Sequence, residues 1–113
     1  MAAEQLADQF HRAMLSGDAG TLKSILAEDV TFSGPLAQAT GAQECIDGLT
    51  EMGTITESDK VAVRLSDDSN ALIWSTMKTK VGPAVETATW LKVADGKITA
   101  IRAVYDARDA AKA

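Results

Sequence analysis

The spacing of apolar residues is helical in the first half of the chain and alternating in the second. Residues 3–15 predict a first helix, because apolar side chains recur on one face: Leu6, Ala7, Phe10, Ala13 and Met14. Ser16-Gly17-Asp18 ends this helix, and Asp18 is a typical N-cap for a second, shorter helix. A third helix is predicted after Gly41, with an apolar stripe made of Cys45, Ile46, Leu49 and Met52.

Strands are predicted where apolar and polar residues alternate. The predicted strands cover residues 30–33, 60–65, 71–81, 85–94 and 97–106. Residues 36–40 are predicted to be a loop and residues 53–57 a linker. Asp95-Gly96, between two alternating runs, is the strongest hairpin signal in the chain. Helices followed by a meander of strands predict an α+β fold.

Length and charge exclude several classes of function. The 113 residues predict one domain over residues 1–113, and 46% apolar residues can form its core. The net charge of −5, with scattered basic residues, argues against nucleic acid as a partner. No apolar stretch is long enough for a membrane span, so no membrane partner is expected. The single cysteine, Cys45, indicates a reducing compartment, which we take to be the cytoplasm. One His and one Cys cannot build a Cys/His zinc cluster, and we expect neither a metal site nor a cofactor.

The stretch from Phe10 to Pro35 and the final hairpin carry a family resemblance. Their order and spacing, together with the Gly17-Asp18 and Ala27-Glu28-Asp29 steps, resemble the nuclear transport factor 2-like superfamily, in its SnoaL-like and ketosteroid-isomerase-like branches. The resemblance implies a cone-shaped fold, in which three N-terminal helices pack on a curved, mostly antiparallel mixed sheet around one apolar pocket. Final-hairpin residues 95–103 match this pattern again.

The catalytic groups of two branches of this superfamily are not matched. Ketosteroid isomerases use a carboxylate, a tyrosine and a protonated aspartic acid. The corresponding positions here read Gly34, Phe10 and Thr89. Epoxide hydrolases of the limonene type use two aspartates and an arginine, and the corresponding positions read Ala103 and Met77-Lys78-Thr79. The sequence therefore argues against both activities. The aspartate base of SnoaL-like cyclases has no assigned counterpart in the chain.

The resemblance also implies which strand residues face the pocket. If Thr89 faces inward, the odd-numbered residues of the last two strands share its side: Val85, Thr87, Thr89, Leu91, Val93, Thr99, Ile101, Ala103 and Tyr105. This set contains no carboxylate and suits an apolar ligand. The residues predicted to bind such a ligand are Phe10, Met14, Leu49, Thr87, Thr89, Leu91 and Ala103. A one-residue slip near Gly82-Pro83 would instead bring Glu86 inside.

Three residues are candidates for proton transfer, and each has a simpler interpretation. His11 has the only side chain whose ordinary pKa lies near neutrality, and its simpler and favoured interpretation is a histidine at the surface or rim of the helix. Tyr105 could place its hydroxyl at the pocket mouth, and Asp106 could orient it or a water. The simpler interpretation is a half-buried aromatic followed by an acid that ends the strand. Cys45 is interpreted as a small buried apolar residue.

Trp90 indicates a second surface. If Thr89 faces the pocket, Trp90 faces the other side of the sheet, and a large exposed aromatic there is typical of a protein interface. Relatives commonly dimerise through this face, so the resemblance implies a homodimer. The alternative is that Trp90 packs under a loop of its own subunit.

Three functional hypotheses remain open at this point. The first is a SnoaL-like isomerase, cyclase or dehydratase that acts on a small hydrophobic carbonyl or polyketide-like compound. The second is a binding protein that uses the same pocket without catalysis. The third is a dimeric interaction module whose cavity is filled by its own side chains.

Overall fold

The fold consists of three helices and six strands. The computed structural model describes residues 2–108. The helices are α1 Ala3–Ser16, α2 Ala19–Ile25 and α3 Ala42–Ile55. The strands are β1 Leu26–Ser33, β2 Gln38–Thr40, β3 Thr56–Ser66, β4 Asn70–Thr79, β5 Val85–Ala94 and β6 Lys97–Tyr105. The predicted α+β class is confirmed. The Ala-rich, charged segment 107–113 is expected from its sequence to fray, and residues 109–113 lie outside the described residues.

All six strands form one open mixed sheet in the order β2-β1-β6-β5-β4-β3. Only β1 and β6 pair in parallel, and the other neighbours are antiparallel. The hairpin between β5 and β6 turns at Asp95 and Gly96, which both have positive φ, as its sequence predicts. The three helices pack on one face of the sheet, which we call the inner face, and the opposite side is the outer face.

Two segments differ from the sequence-based prediction. Residues 36–40, predicted as a loop, contain the short strand β2, which pairs with β1 from Thr31 to Ser33. Three residues are too few to show an alternating pattern, so pairing alone reveals this strand. Residues 53–57, predicted as a linker, are the last turn of α3 and the start of β3. The backbone N–H and the hydroxyl of Thr56 both donate to the carbonyl of Met52, which ends the helix without a loop.

The start of α2 is stabilised as the sequence predicts. The backbone N–H of Thr21 donates to Asp18 Oδ1 at 3.1 Å, and its hydroxyl donates to Oδ2 at 2.7 Å. These two bonds, the hydroxyl first, hold the pKa of the Asp18 carboxyl below its usual value. Asp18 therefore caps the helix as a carboxylate.

Close packing between α1 and α3 depends on Gly53. A Cβ atom at Gly53 would overlap the backbone carbonyl oxygen of Met14, whereas one at Gly48 would meet nothing nearby. Gly53, and not Gly48, is therefore the glycine at which the two helices approach each other closely. Gly48 lies on the exposed side of its helix, so spacing within the helix does not reveal which glycine meets a neighbour.

Candidate functional site

A cavity of about 560 Å³ lies between the inner face of the sheet and helices α1 and α3. All of the predicted site residues except Leu91 line it. The helices contribute Phe10, His11, Met14 and Leu49. The sheet side contributes Thr87, Thr89, Ala103, Tyr105 and Asp106. A cavity of this size falls within the range of ligand sites.

The closed end of the inner face is packed rather than hollow. Leu91 points to the same side as Thr87 and Thr89 but is fully buried between Ala71 and Ile101 on the neighbouring strands. Alternation along a strand predicts the face of a residue but not its depth. Ligand contact at Leu91 is therefore not supported by its position.

The odd-numbered residues face inward along β5, as predicted, but a bulge interrupts this alternation in β6. Glu86 is exposed, so the slip that would bring its carboxylate inside does not occur. In β6, Thr99 is the extra residue of a bulge, and Ile98 takes the fully buried position instead. The Thr99 hydroxyl donates to the backbone carbonyl of Lys92 at 3.3 Å. The expectation that Thr99 shares the inner face is corrected by this bulge.

The main polar feature of the cavity wall is a pair formed by His11 on α1 and Asp59 on β3. His11 Nε2 lies 3.0 Å from Asp59 Oδ2, within hydrogen-bond distance. Their side chains are 14% and 5% exposed, so both are withdrawn from bulk solvent. Both residues line the cavity. The pair brings a titratable imidazole and a carboxylate together across 48 residues of sequence.

Asp59 was not predicted from the sequence. It lies next to the stretch interpreted as a linker, where the polar residues of β3 obscure the alternation. A signal was nevertheless present, because Asp59 and Val61 are two residues apart and share a side of the strand. Extending the strand back by two residues would have placed this carboxylate on the inner face.

Two buried polar atoms of the cavity wall have no hydrogen-bond partner within the described residues 2–108. They are Asp59 Oδ1 and the hydroxyl oxygen of Thr87. Buried polar atoms in native proteins are nearly always hydrogen-bonded, so each exception requires an explanation. Because both residues line a cavity, a molecule inside it could supply the missing partners.

Tyr105 and Asp106 lie together at the end of β6 but in different environments. Tyr105 is half-buried, directly opposite Thr87 on β5, and burial raises the pKa of its hydroxyl. Asp106 is exposed, and both of its carboxylate oxygens contact Arg108: the backbone N–H donates at 3.0 Å and the guanidinium lies at 3.1 Å. The Asp106 carboxylate is therefore engaged within its own turn.

The carboxylates of the cavity lining outnumber its basic side chains. In the part of the chain that the structure describes, the lining includes Glu44, Asp47, Asp59 and Asp106 but no lysine or arginine. Residues 2–108 also contain no group of three or more His, Cys, Asp or Glu side chains that could hold a metal ion. The cavity is therefore apolar with a negative bias.

Cys45 contributes to the wall from α3 and is free of any disulfide. Its thiol lies 3.7 Å from the backbone carbonyl of Val30, to which it donates a weak hydrogen bond. Burial raises the pKa of this thiol above its ordinary value. The geometry thus keeps Cys45 protonated and unreactive.

The outer face carries a second cluster of apolar residues in two adjacent cross-strand rows. One row runs Leu65, Leu72 and Trp90, and the next runs Val63, Trp74, Ala88 and Val104. Trp90 is 39% exposed, and its indole N–H donates to Asn70 Oδ1 at 2.9 Å. The Lys92 ammonium lies 5.7 Å from the Trp90 ring. We call these two rows the outer apolar patch.

The described helices are all too short or too polar to cross a membrane. This finding concerns residues 2–108 and matches the hydropathy pattern of the sequence.

Comparison with known proteins places the chain among proteins of one fold. A family model described as a SnoaL-like domain matches residues 7–101. A protein from Kribbella flavida superposes with a TM-score of 0.88 at 24% identity, covering 98% of this chain and 91% of that one. An epoxide hydrolase of the LEH-like type from M. tuberculosis gives 0.79 at 20% identity, covering 97% and 86%.

A candidate polyketide cyclase from Sinorhizobium meliloti has the same architecture. Its TM-score is 0.78 at 15% identity, and the match covers 88% of this chain and 93% of that one. No curated protein matches the chain by sequence. At these identities the structural similarity establishes the fold alone.

Proposed function

The chain belongs to the SnoaL-like domain family, and we propose that it binds a small, mostly apolar carbonyl compound and transfers protons on it. The reaction classes that fit are isomerisation, cyclisation and dehydration. The observation that carries the proposal is the His11–Asp59 pair in the wall of the apolar cavity. No metal or cofactor takes part in the proposed step.

His11 is the proposed base. With the proton on Nε2, the imidazole donates to Asp59 Oδ2, and Nδ1 is left as the proton acceptor. The carboxylate then stabilises the imidazolium that forms. Nδ1 takes a proton from the carbon beside the substrate carbonyl, and the C–H electron pair moves to form an enolate. The imidazolium returns the proton to another carbon, which gives an isomer, or to a departing β-hydroxide, which leaves as water and gives a dehydrated product.

Tyr105 is the proposed hydrogen-bond donor to a carbonyl oxygen of the ligand. Its hydroxyl remains protonated because burial raises its pKa, and a neutral hydroxyl can donate. We assign no catalytic role to Asp106, because Arg108 occupies its carboxylate.

Ketosteroid isomerisation is not part of this proposal. Phe10, Gly34 and Thr89 all line the cavity, at the positions where the resemblance expects the tyrosine and two carboxyl groups. A phenyl ring and a glycine supply neither donor nor base. The polar groups of the cavity lie instead at His11, next to Phe10 in sequence, and at Asp59.

The experiment is deuterium exchange into small cyclic enones and β-hydroxy ketones, followed by NMR. The wild type is expected to accelerate exchange beside the carbonyl. His11→Gln and Asp59→Asn should each lower the rate by roughly 10²–10⁴-fold, the usual contribution of a general base. Glu51→Gln, a matched acid-to-amide change on the exposed side of α3, is the control and should leave the rate unchanged.

Binding without exchange would favour the non-catalytic binding protein over the enzyme. Wild-type rates in both His11 and Asp59 variants would refute the assignment of the base. The interaction module with a filled cavity is the least suitable of the three hypotheses, because about 560 Å³ remains open.

We also propose that the chain forms a homodimer through the outer apolar patch. Glu86 borders this patch at one end, and Lys92 borders it at the other. A twofold axis running across the strands would place the Glu86 end of one copy over the Lys92 end of its partner. Apolar area would be buried at the centre and opposite charges would meet at the rim, as in protein interfaces.

The compartment that we propose is the cytoplasm. The thiol of Cys45 is free and buried, which fits a reducing environment. Fractionation of the native host with an antibody to the chain would test this placement.

A further inference from the structure

We infer that the cavity selects an elongated, uncharged or cationic ligand with an N–H or O–H donor at one end and a carbonyl at the other. Asp59 would hold the donor, Thr87 would hold the carbonyl, and anionic ligands would be rejected. This inference rests on the proposed function, because it specifies the ligand of the same cavity. It rests on three observations: two buried polar atoms without partners, their separation, and the charges of the lining.

Asp59 requires a hydrogen-bond donor. Its side chain is 5% exposed, Oδ2 is engaged by His11, and Oδ1 has no partner within residues 2–108. A carboxylate oxygen can only accept hydrogen bonds. The described lining offers no lysine or arginine to supply one. A ligand that brings an N–H or O–H group would therefore satisfy an oxygen that the protein leaves unpaired.

Thr87 requires a polar partner of its own. The residue is 2% exposed, and its hydroxyl oxygen has no partner within the described residues. Its cross-strand neighbours are Ser75 and Tyr105. Thr87 and Tyr105 therefore lie side by side on the inner face, and the hydroxyl of either residue can donate to a carbonyl oxygen.

The sheet register gives the separation of the two polar ends. Asp59 lies opposite Met77, and Met77 lies opposite Val85. Thr87 is two residues further along β5. Two strand spacings and two residues correspond to a separation on the order of 10 Å. Met77 and Val85 lie between the two ends, so the middle of the ligand must be apolar.

The charges of the lining exclude anions. Asp59 contributes a buried carboxylate on β3, and Glu44 and Asp47 on α3 contribute exposed ones elsewhere in the same lining. Like charges at short range disfavour binding of a second anion, most strongly where water is excluded. A carboxylate or phosphate would find only His11 as a counter-charge, and that imidazole is already paired with Asp59.

Three fluorescent naphthalenes test the inference. The first carries a primary amine and an ethyl ketone at opposite ends of the ring system. In the second the amine is dimethylated and cannot donate, and in the third a carboxylate replaces the ketone. Each is titrated against the wild-type protein by fluorescence. The amino ketone is expected to bind at least about tenfold more tightly than either relative, as expected for a hydrogen bond to a charged group.

Two variants test which residue binds each end of the ligand. Asp59→Leu should bring the amino and dimethylamino ketones to nearly equal affinity. Thr87→Val, which keeps the shape, should weaken both ketones about tenfold and leave their ratio unchanged. Circular dichroism checks that each variant is folded, and the comparison of the three probes on the wild type does not depend on either variant.

Equal binding of the dimethylamino ketone or of the carboxylate to the wild type would overturn the inference, while ligand binding by the cavity would still hold. If neither the three naphthalenes nor the neutral dye Nile red binds, the proposed function fails and the inference fails with it. Tight, Asp59-dependent binding of the amino ketone without deuterium exchange would support the inference and count against catalysis.

Discussion

Trp90 and Leu91 are neighbours on β5, yet they belong to two regions that use apolar surface differently. Leu91 is fully buried on the inner face, under the helices. Trp90 is 39% exposed on the outer face, where no helix of the described chain covers it. The inner face and the helices enclose a cavity, whereas the outer face exposes apolar side chains to solvent. The same alternation therefore yields a ligand cavity on one side and a candidate interface on the other.

The hydrogen bonding of polar atoms differs between the two faces more clearly than the packing of apolar side chains does. Within the described residues, the buried side-chain atoms without partners are Asp59 Oδ1, Thr87 Oγ1 and Arg64 Nε, and all three residues lie on the inner face. On the outer face, the indole N–H of Trp90 donates to Asn70, and the guanidinium of Arg102, opposite Trp90, donates to the hydroxyl of Thr31. An unpaired buried atom favours a ligand that satisfies it, whereas an apolar patch with a polar rim favours a protein surface.

The largest effect is expected at Leu91. Leu91→Ala removes a fully buried side chain from the closed end of the inner face, where nothing can refill the space. We expect a loss of about 2–5 kcal/mol in the free energy of unfolding, measured by urea denaturation at fixed protein concentration. A loss below about 1 kcal/mol would mean that this end of the inner face is not a packed core.

The next effect concerns association rather than folding. Trp90→Glu places a charge within the outer apolar patch, so the dissociation constant of the proposed dimer should rise at least about thirtyfold in analytical ultracentrifugation. Ala19→Glu adds the same charge on α2, away from the patch, and should leave the sedimentation coefficient unchanged. A wild-type sedimentation coefficient in the Trp90 variant would rule out the outer face as the interface.

Two glycines of α3 test how closely helices α1 and α3 must approach each other. Gly53→Ala should destabilise the fold by about 1–3 kcal/mol, because the new methyl group overlaps the carbonyl of Met14. Gly48→Ala has free space and should stabilise the helix by roughly 1 kcal/mol. Because the two substitutions are chemically identical, shifts of the thermal unfolding midpoint in opposite directions would isolate the effect of the contact between Gly53 and Met14. Equal shifts would contradict the close approach at Gly53.

The sequence predicts the two faces well because alternation is a local property. Thr87, Thr89 and Trp90 lie on the sides that the pattern indicates, and Asp95-Gly96 forms the predicted hairpin. The fold class follows from the order of helices and strands, which the structure confirms. Local alternation does not predict how deeply a residue is buried or which distant residues it contacts, because both depend on which helices and strands pack together. Leu91 is an example, since its complete burial could not be read from the strand pattern.

The site was only partly predictable for that reason. His11 was a candidate from its chemistry, but its partner Asp59 lies on a strand whose bulges and polar residues hide the period of two. Arg108, which engages Asp106, lies beyond the last predicted strand, where no hydrophobic pattern indicates a contact. A proton-transfer site is defined by distances between atoms, and no local pattern fixes a contact across 48 residues.

The smallest effect is spectroscopic and concerns Tyr105, the single tyrosine of the chain. Burial raises the pKa of its hydroxyl, so absorbance should report a titration midpoint above the ordinary value of about 10. Above that ordinary value the unfolded chain loses the proton first, and stability should therefore fall as the pH rises towards the folded midpoint. Trp90→Glu, on the outer face, should leave the midpoint unchanged, whereas a neutral ligand in the cavity should raise it by further desolvation. A midpoint at or below the ordinary value would place Tyr105 in solvent and leave Thr87 to hold the carbonyl of the ligand without it.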